Sequence, residues 1–161
     1  MNKRLLLAVL ITIIVSYISF ADHFIEIEIG TAMIWNPIVF SDTAIGGGVN
    51  LAVLPKFTDH FGFGIFFNLA FAPSAALFDF MIGPFFEFNI NDKIFLVPCA
   101  GLYMGMIFFG IGGNLTVQYA LHPNISLFAR IQYAYAIFLA PGVNNVETSV
   151  VSPCVGLGFR F

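Results

Sequence analysis

The last eleven residues, Val151 to Phe161, alternate in character. Val151, Pro153, Val155, Leu157, Phe159 and Phe161 are all apolar, and Ser152, Cys154, Gly156, Gly158 and Arg160 between them are small or polar. A period of two marks a β-strand with one apolar face. Residues 61–71 repeat the pattern, with Phe61, Phe63, Ile65, Phe67, Leu69 and Phe71 against Gly62, Gly64, Phe66, Asn68 and Ala70. So do residues 111–121, where Asn114, Thr116 and Gln118 share one parity and Leu115, Val117 and Tyr119 the other. A helix would scatter these polar residues around its circumference, whereas a strand gathers them on one face.

Carried along the chain, the same parity predicts eight strands: Phe24–Ile34, Ala44–Leu54, Phe61–Phe71, Asp79–Ile90, Ile94–Met104, Ile111–Leu121, Ile125–Phe138 and Val151–Phe161. Loops are expected at 35–43, 72–78, 105–110 and 139–147. They alternate with tight turns at 55–60, 91–93 and 122–124, where Pro55, Asn91-Asp92-Lys93 and His122-Pro123-Asn124 supply turn chemistry. The strand at 94–104 has no readable phase because both its faces are apolar. Residues 94–113 also carry no charge, which is the usual mark of a transmembrane helix.

Composition decides what the strands face. The chain is 59% hydrophobic and only 9% charged, against about 25% charged in an ordinary soluble domain. Twenty-one phenylalanines beside a single tryptophan point to lipid contact or a very aromatic core. In lipid, every backbone polar group must be satisfied internally, so only helices and closed barrels can span. Fifteen glycines and eight prolines weigh against a helical bundle, and the alternation selects the barrel. The fold expected is therefore all-β, an eight-stranded antiparallel up-and-down transmembrane β-barrel.

The N-terminus reads as an export signal. Lys3 and Arg4 precede an apolar run from Leu5 to Val15, broken only by Thr12, and Ser19-Phe20-Ala21 supplies a small-residue cleavage site. Residues 1–21 are expected to be a signal peptide cleaved after Ala21, with the barrel domain over 22–161 in the bacterial outer membrane. The remaining 140 of 161 residues keep nine acids and four of the six bases, a formal charge of −5. There is no basic patch, so nucleic acid is not an expected partner. An even number of strands places both ends in the periplasm.

With this arrangement the chain resembles the small eight-stranded bacterial outer-membrane barrels of the OmpA-domain, OmpX and OmpW kind. The resemblance is architectural except at the C-terminus, where Val155, Leu157, Phe159 and Phe161, preceded by Pro153, are similar to the signal read by the barrel-assembly machinery. It implies outer-membrane lipid as the surrounding medium, the assembly machinery and periplasmic chaperones as partners during biogenesis, and for the OmpW-like members a small hydrophobic ligand.

Candidate chemistry lies on the inward parity. Glu26, Glu28, Glu87, Arg130 and Arg160 are expected in the lumen, in its periplasmic half, with Asp79 at the rim. Closure makes the first and last strands neighbours, so a Glu26/Glu28–Arg160 pair is expected across the seam, because buried charges are tolerated only when paired. The cluster reads as a plug in a narrow barrel or as a gate on a conduit. Inward Gly30, Gly46, Gly48 and Gly112 are expected to leave room higher up, beneath an apolar mouth formed by Trp35, Ile38, Phe40, Phe78, Phe108 and Phe109. Such a mouth would suit a small hydrophobic molecule. Tyr103, Tyr119, Tyr133, Tyr135, Phe71, Phe80, Phe88 and Phe159 are candidates for the interfacial aromatic girdles.

Catalysis is not expected. His23, His60 and His122 sit in the N-terminal segment or in turns, with no Ser and carboxylate on one strand face beside them. No His/Cys/carboxylate cluster has metal-ligand spacing, and no cofactor is implied. Cys99 and Cys154 fall on strands across the barrel and are expected to be unpaired. The reading is an integral outer-membrane barrel with a structural or surface-interaction role and a largely closed lumen. The alternative is a narrow channel or binding site for small hydrophobic molecules.

Overall fold

A computed structural model describes residues 25–36, 45–72, 75–105, 108–138 and 146–161. The signal peptide expected at 1–21 and much of the loops at 35–43 and 139–147, including Ile38 and Phe40, lie outside the described residues.

The strands are β1 (Ile25–Trp35), β2 (Ile45–Pro55), β3 (Phe61–Ala72), β4 (Ala75–Phe86), β5 (Phe88–Asn89), β6 (Ile94–Gly105), β7 (Phe108–His122), β8 (Ile125–Phe138) and β9 (Val146–Arg160). β5 is a two-residue continuation of β4 past Glu87, so nine strands make eight spans. Each span pairs antiparallel with the next, β4 and its continuation β5 both pairing with β6, and β9 pairs with β1, which closes the sheet into a barrel. The seam is regular: Glu26 stands opposite Arg160, Glu28 opposite Gly158, and Ile25 and Phe161 exchange backbone hydrogen bonds of 3.2 and 2.9 Å. The uncharged stretch at 94–113 is two strands, and no helix among the described residues is long and apolar enough to cross a membrane.

Alternation controls which side chains face out. In β1, Ile29, Met33 and Trp35 are exposed while Glu26, Glu28, Ala32 and Ile34 are buried. In β8, Leu127, Ile131, Tyr133, Tyr135 and Ile137 are exposed while Ser126, Phe128, Arg130 and Gln132 are buried. Large apolar side chains on the outside and carboxylates inside are the inverse of a water-soluble protein. This is the arrangement a lipid surround selects.

Three differences from the expected boundaries share one cause. β4 starts at Ala75, β7 at Phe108 and β9 at Val146, so the loops expected at 72–78, 105–110 and 139–147 are shorter. At this end of the barrel the inward residues include Leu77, Tyr103, Phe108 and Val150. In β4 and β7 they are as apolar as their outward neighbours, and in β9 the outward positions are the polar Glu147 and Ser149, so the apolar-out, polar-in alternation that marks a strand disappears although the strand continues. Residues 94–105 lose their phase for the same reason. Val97, Cys99 and Tyr103 point inward, and Ala100 and Leu102 outward.

Glycines let neighbouring large side chains lie flat in this narrow interior. A Cβ on Gly62 would collide with the Phe85 ring, and one on Gly64 would stand 2.6 Å from the Phe66 ring. The room expected beside Gly30 is occupied by the Phe128 ring and the Cys154 thiol, each 2.9 Å from where a Cβ would sit.

Candidate functional site: a charged network in the lumen

The barrel has a turn end, where β1 begins and β9 finishes, and an opposite loop end. The five charges expected inside, Glu26, Glu28, Glu87, Arg130 and Arg160, do converge in the lumen toward the turn end. They are joined there by Lys56. Lys56 Nζ is 2.5 Å from Glu87 Oε2, and both side chains are almost fully buried. Arg160 spans from Glu87 Oε2 at 3.2 Å to Glu26 Oε2 at 3.0 Å and donates to Gln118 Oε1 at 2.9 Å. Its guanidinium lies 4.8 Å from the Phe95 ring centroid.

Gln118 ties the two glutamates of β1 together. Its Nε2 donates to Glu26 Oε1 at 3.0 Å and to Glu28 Oε1 at 2.9 Å, and Ser126 Oγ donates to Glu26 Oε1 at 3.1 Å. Because the Gln118 carbonyl oxygen accepts from Arg160, its amide has a single sensible orientation. Glu28 does not meet Arg160, as the seam pairing suggested for both glutamates. Its partner is Arg130 of β8, and both side chains are buried. The reason is vertical: only Glu26 stands level with Arg160 across the seam, and Glu28 lies one inward position higher.

Arg130 is the hub. Its Nε donates to Thr116 Oγ1 at 2.7 Å and its Nη1 to Asn50 Oδ1 at 3.0 Å, while Nη2 pairs with Glu28. Phe66 and Phe128 flank the guanidinium, with centroids 4.5 and 5.1 Å from Cζ. From Asn50 the chain of donors continues along the wall. Asn50 Nδ2 donates to Asn68 Oδ1 at 2.7 Å, and Asn68 Nδ2 donates to Asp79 Oδ1 at 2.8 Å. Asn50, Asn68 and Asp79 lie in one register row across β2, β3 and β4. Asp79 is thus fully buried in the lumen beside Tyr103 and not at the rim. Its neighbour Tyr103, a girdle candidate, also points inward.

Seven charges therefore belong to one connected network running from Lys56 to Asp79. Burying an unpaired charge costs several kcal/mol, so such a network holds only as a unit. Lys56, Asp79, Asn50, Asn68 and Gln118 are members that the reading of the sequence does not assign to the cluster. A signal for Lys56 is present in it: the lysine continues the inward parity of Asn50, Ala52 and Leu54 through Pro55 into the turn.

Of the residues expected at an apolar mouth, the four that are described are not brought together. Trp35, Phe78 and Phe109 lie within strands and are exposed on the outer wall, whereas Phe108 is buried in the lumen. β1 runs on to Trp35, and the extension of β4 and β7 moves the three phenylalanines out of loops and into the alternation. Among the assembly-signal residues, Val155 and Leu157 are exposed on the outer face, Phe159 is half-buried, and Phe161 is exposed at the turn end. On the outer wall near the loop end, the Tyr133 hydroxyl is 3.0 Å from Ser149 Oγ and the Tyr135 hydroxyl donates to Glu147. Cys99 and Cys154 are buried free thiols, and among the described residues no three His, Cys, Asp or Glu side chains group to hold a metal.

A closed eight-span antiparallel sheet with an apolar exterior and an ion-paired interior defines the class: the fold is that of the small outer-membrane β-barrels. Known structures agree. The chain is similar to the outer membrane protein OprG from Pseudomonas aeruginosa, with 12% identity, a TM-score of 0.61, and coverage of 86% of this chain and 95% of that one. It is similar to the attachment invasion locus protein Ail of Yersinia pestis, in a structure with the heparin analogue sucrose octasulfate, at 18% identity and a TM-score of 0.58, over 86% of this chain and 98% of that one. Neisserial surface protein A is similar at 17% identity and a TM-score of 0.59, over 85% and 94%. No protein-family model matches the chain, and no curated protein does. At these identities the likeness is one of fold.

Proposed function

We propose that this chain is an integral protein of the bacterial outer membrane, exported by a signal peptide cleaved after Ala21, with a structural or surface-interaction role and a lumen closed at its turn end. The observation that carries this reading is the single network joining Lys56, Glu87, Arg160, Glu26, Glu28 and Arg130 across the barrel. An eight-strand interior is just wide enough for side chains. A network that crosses it, with Phe66 and Phe128 against Arg130, leaves no straight aqueous path. The turn end faces the periplasm, since single-chain bacterial barrels place both termini there. Biogenesis uses periplasmic chaperones and the barrel-assembly machinery, which reads Val155, Leu157, Phe159 and Phe161. No catalytic step belongs to this reading.

Planar-bilayer recording on the refolded protein, combined with uptake of small apolar solutes into loaded vesicles, tests it. Conductance near the lipid baseline and no uptake are expected. A steady open conductance, or saturable uptake, would replace the closed barrel with the narrow-channel alternative.

A further inference from the structure

We propose that the turn end of the lumen carries a binding site for one small free oxyanion, of phosphate or carboxylate size, held between Lys56 and Arg160.

A cleft of about 140 Å³ opens there, bordered by Lys56, Pro123, Asn124, Arg160 and Phe161. These residues come from the β2–β3 turn, the β7–β8 turn and the end of β9, so the cleft lies across the turn-end mouth of the barrel. Pockets for drug-sized ligands run from about 300 to 1,000 Å³, so this one admits a small ion and nothing much larger.

The sign of the ligand follows from how the network is layered. Both charged residues that border the cleft are cations. Their counter-ions stand behind them: the Glu26 and Glu87 side chains are 1% and 5% exposed, against 18% for Arg160. An ion entering from the turn end therefore meets the ammonium and the guanidinium before the carboxylates. A cation would be repelled at that point, and an apolar molecule would take water from two charges without replacing it.

Donors remain for the anion. Lys56 Nζ carries three N–H groups, and its ion pair with Glu87 at 2.5 Å uses one of them. Arg160 commits Nε to Glu26 and Nη2 to Glu87 and Gln118, which leaves its Nη1 edge outside those bonds. Both side chains are held in place by the protein itself. Glu87 engages the two of them, the Phe95 ring centroid lies 4.8 Å from the Arg160 guanidinium, and Arg160 N donates to Asn124 O at 3.0 Å. Little side-chain freedom is then lost on binding. A lysine point charge beside the fork of an arginine suits the oxygens of a phosphate or carboxylate.

The test uses the full isotope-labelled barrel, refolded in micelles of a nonionic, phosphate-free detergent and titrated with inorganic phosphate at constant ionic strength. The Nε–H resonance of Arg160 and the backbone N–H resonances of Asn124 and Phe161 are expected to shift saturably. The Nε–H of Arg130, whose side chain is only 1% exposed in the same network, is expected to stay in place. Lys56→Gln removes the charge and retains an N–H donor. It is expected to weaken binding by at least about tenfold, the contribution of one hydrogen bond to a charged group. Phosphatidylglycerol added to the micelle carries the same phosphate chemistry on a lipid and is expected to leave Arg160 unmoved. Shifts that grow without saturating overturn the proposal, and so does the absence of any shift, the result if the carboxylates behind already satisfy both cations. Binding that survives Lys56→Gln, or a response to the lipid in place of free phosphate, overturns it equally. Should the variant fail to fold, the titration of the unaltered protein, with Arg130 as its internal control, decides alone.

Discussion

Toward the turn end, each lumenal charge has a partner on a neighbouring or facing strand, from Lys56 with Glu87 to Arg130 with Glu28. One inward position farther along the same strands, Asn114 and Gln132 have none for either amide atom. The two regions use the same strands, the same parity and comparable burial. They differ in whether the facing residue is long enough to reach across. At the turn end, glutamate, lysine, arginine and glutamine meet in the centre. In the middle of the barrel the inward residues around the amides are Gly112, Ala134 and Cys154, too short or too apolar to answer them. A narrow barrel is tied together where opposing long polar side chains complete one another and keeps unanswered amides where they do not.

The contrast can be broken most forcefully at its hub. Arg130→Met leaves Glu28 buried without a counter-charge and releases Thr116 and Asn50, so a loss of about 3–5 kcal/mol in unfolding free energy is expected from urea titration in vesicles. Arg160→Gln acts on a side chain that is 18% exposed, and Glu87 keeps Lys56 while Glu26 keeps Gln118 and Ser126. A smaller loss, about 2 kcal/mol, is expected, with a lower temperature for the heat-modifiable band shift on a detergent gel. Gln132→Leu sharpens the comparison from the other side. The change removes no protein hydrogen bond, so its unfolding free energy is expected within about 1 kcal/mol of the parent. A loss as large as that of Arg160→Gln would mean that the middle of the lumen is as tightly tied as the turn end.

What the sequence discloses follows the same division. The parity of Glu26, Glu28, Glu87, Arg130 and Arg160 is legible because each stands between apolar residues, and this alternation alone sorts them into the lumen. Which acid meets which base is not legible. Arg130 and Glu28 are far apart in the chain and on strands that do not pair with each other; only the stagger of the closed sheet brings them level. Asp79 and Tyr103 escape a correct placement because Leu77, Met81 and Phe108 share their inward parity with no polar contrast, so β4 and β7 run on through what reads as loop. Lys56 is hidden by Pro55, which marks a turn while the parity carries the lysine side chain back under the barrel. Three of the residues expected at an apolar mouth are placed elsewhere for a related reason: Trp35, Phe78 and Phe109 belong to the alternating outer wall.

The central claim is that Glu28 and Arg130 act as one unit within a network that closes the turn end. A double-mutant cycle with Glu28→Gln, Arg130→Met and the two together, measured by urea unfolding in lipid vesicles, tests it most directly. Each single change is expected to cost about 3–5 kcal/mol, and the pair no more than either alone, because the second change removes the charge that the first had stranded. Losses that simply add would show two independent side chains and contradict a lumen closed by a paired network.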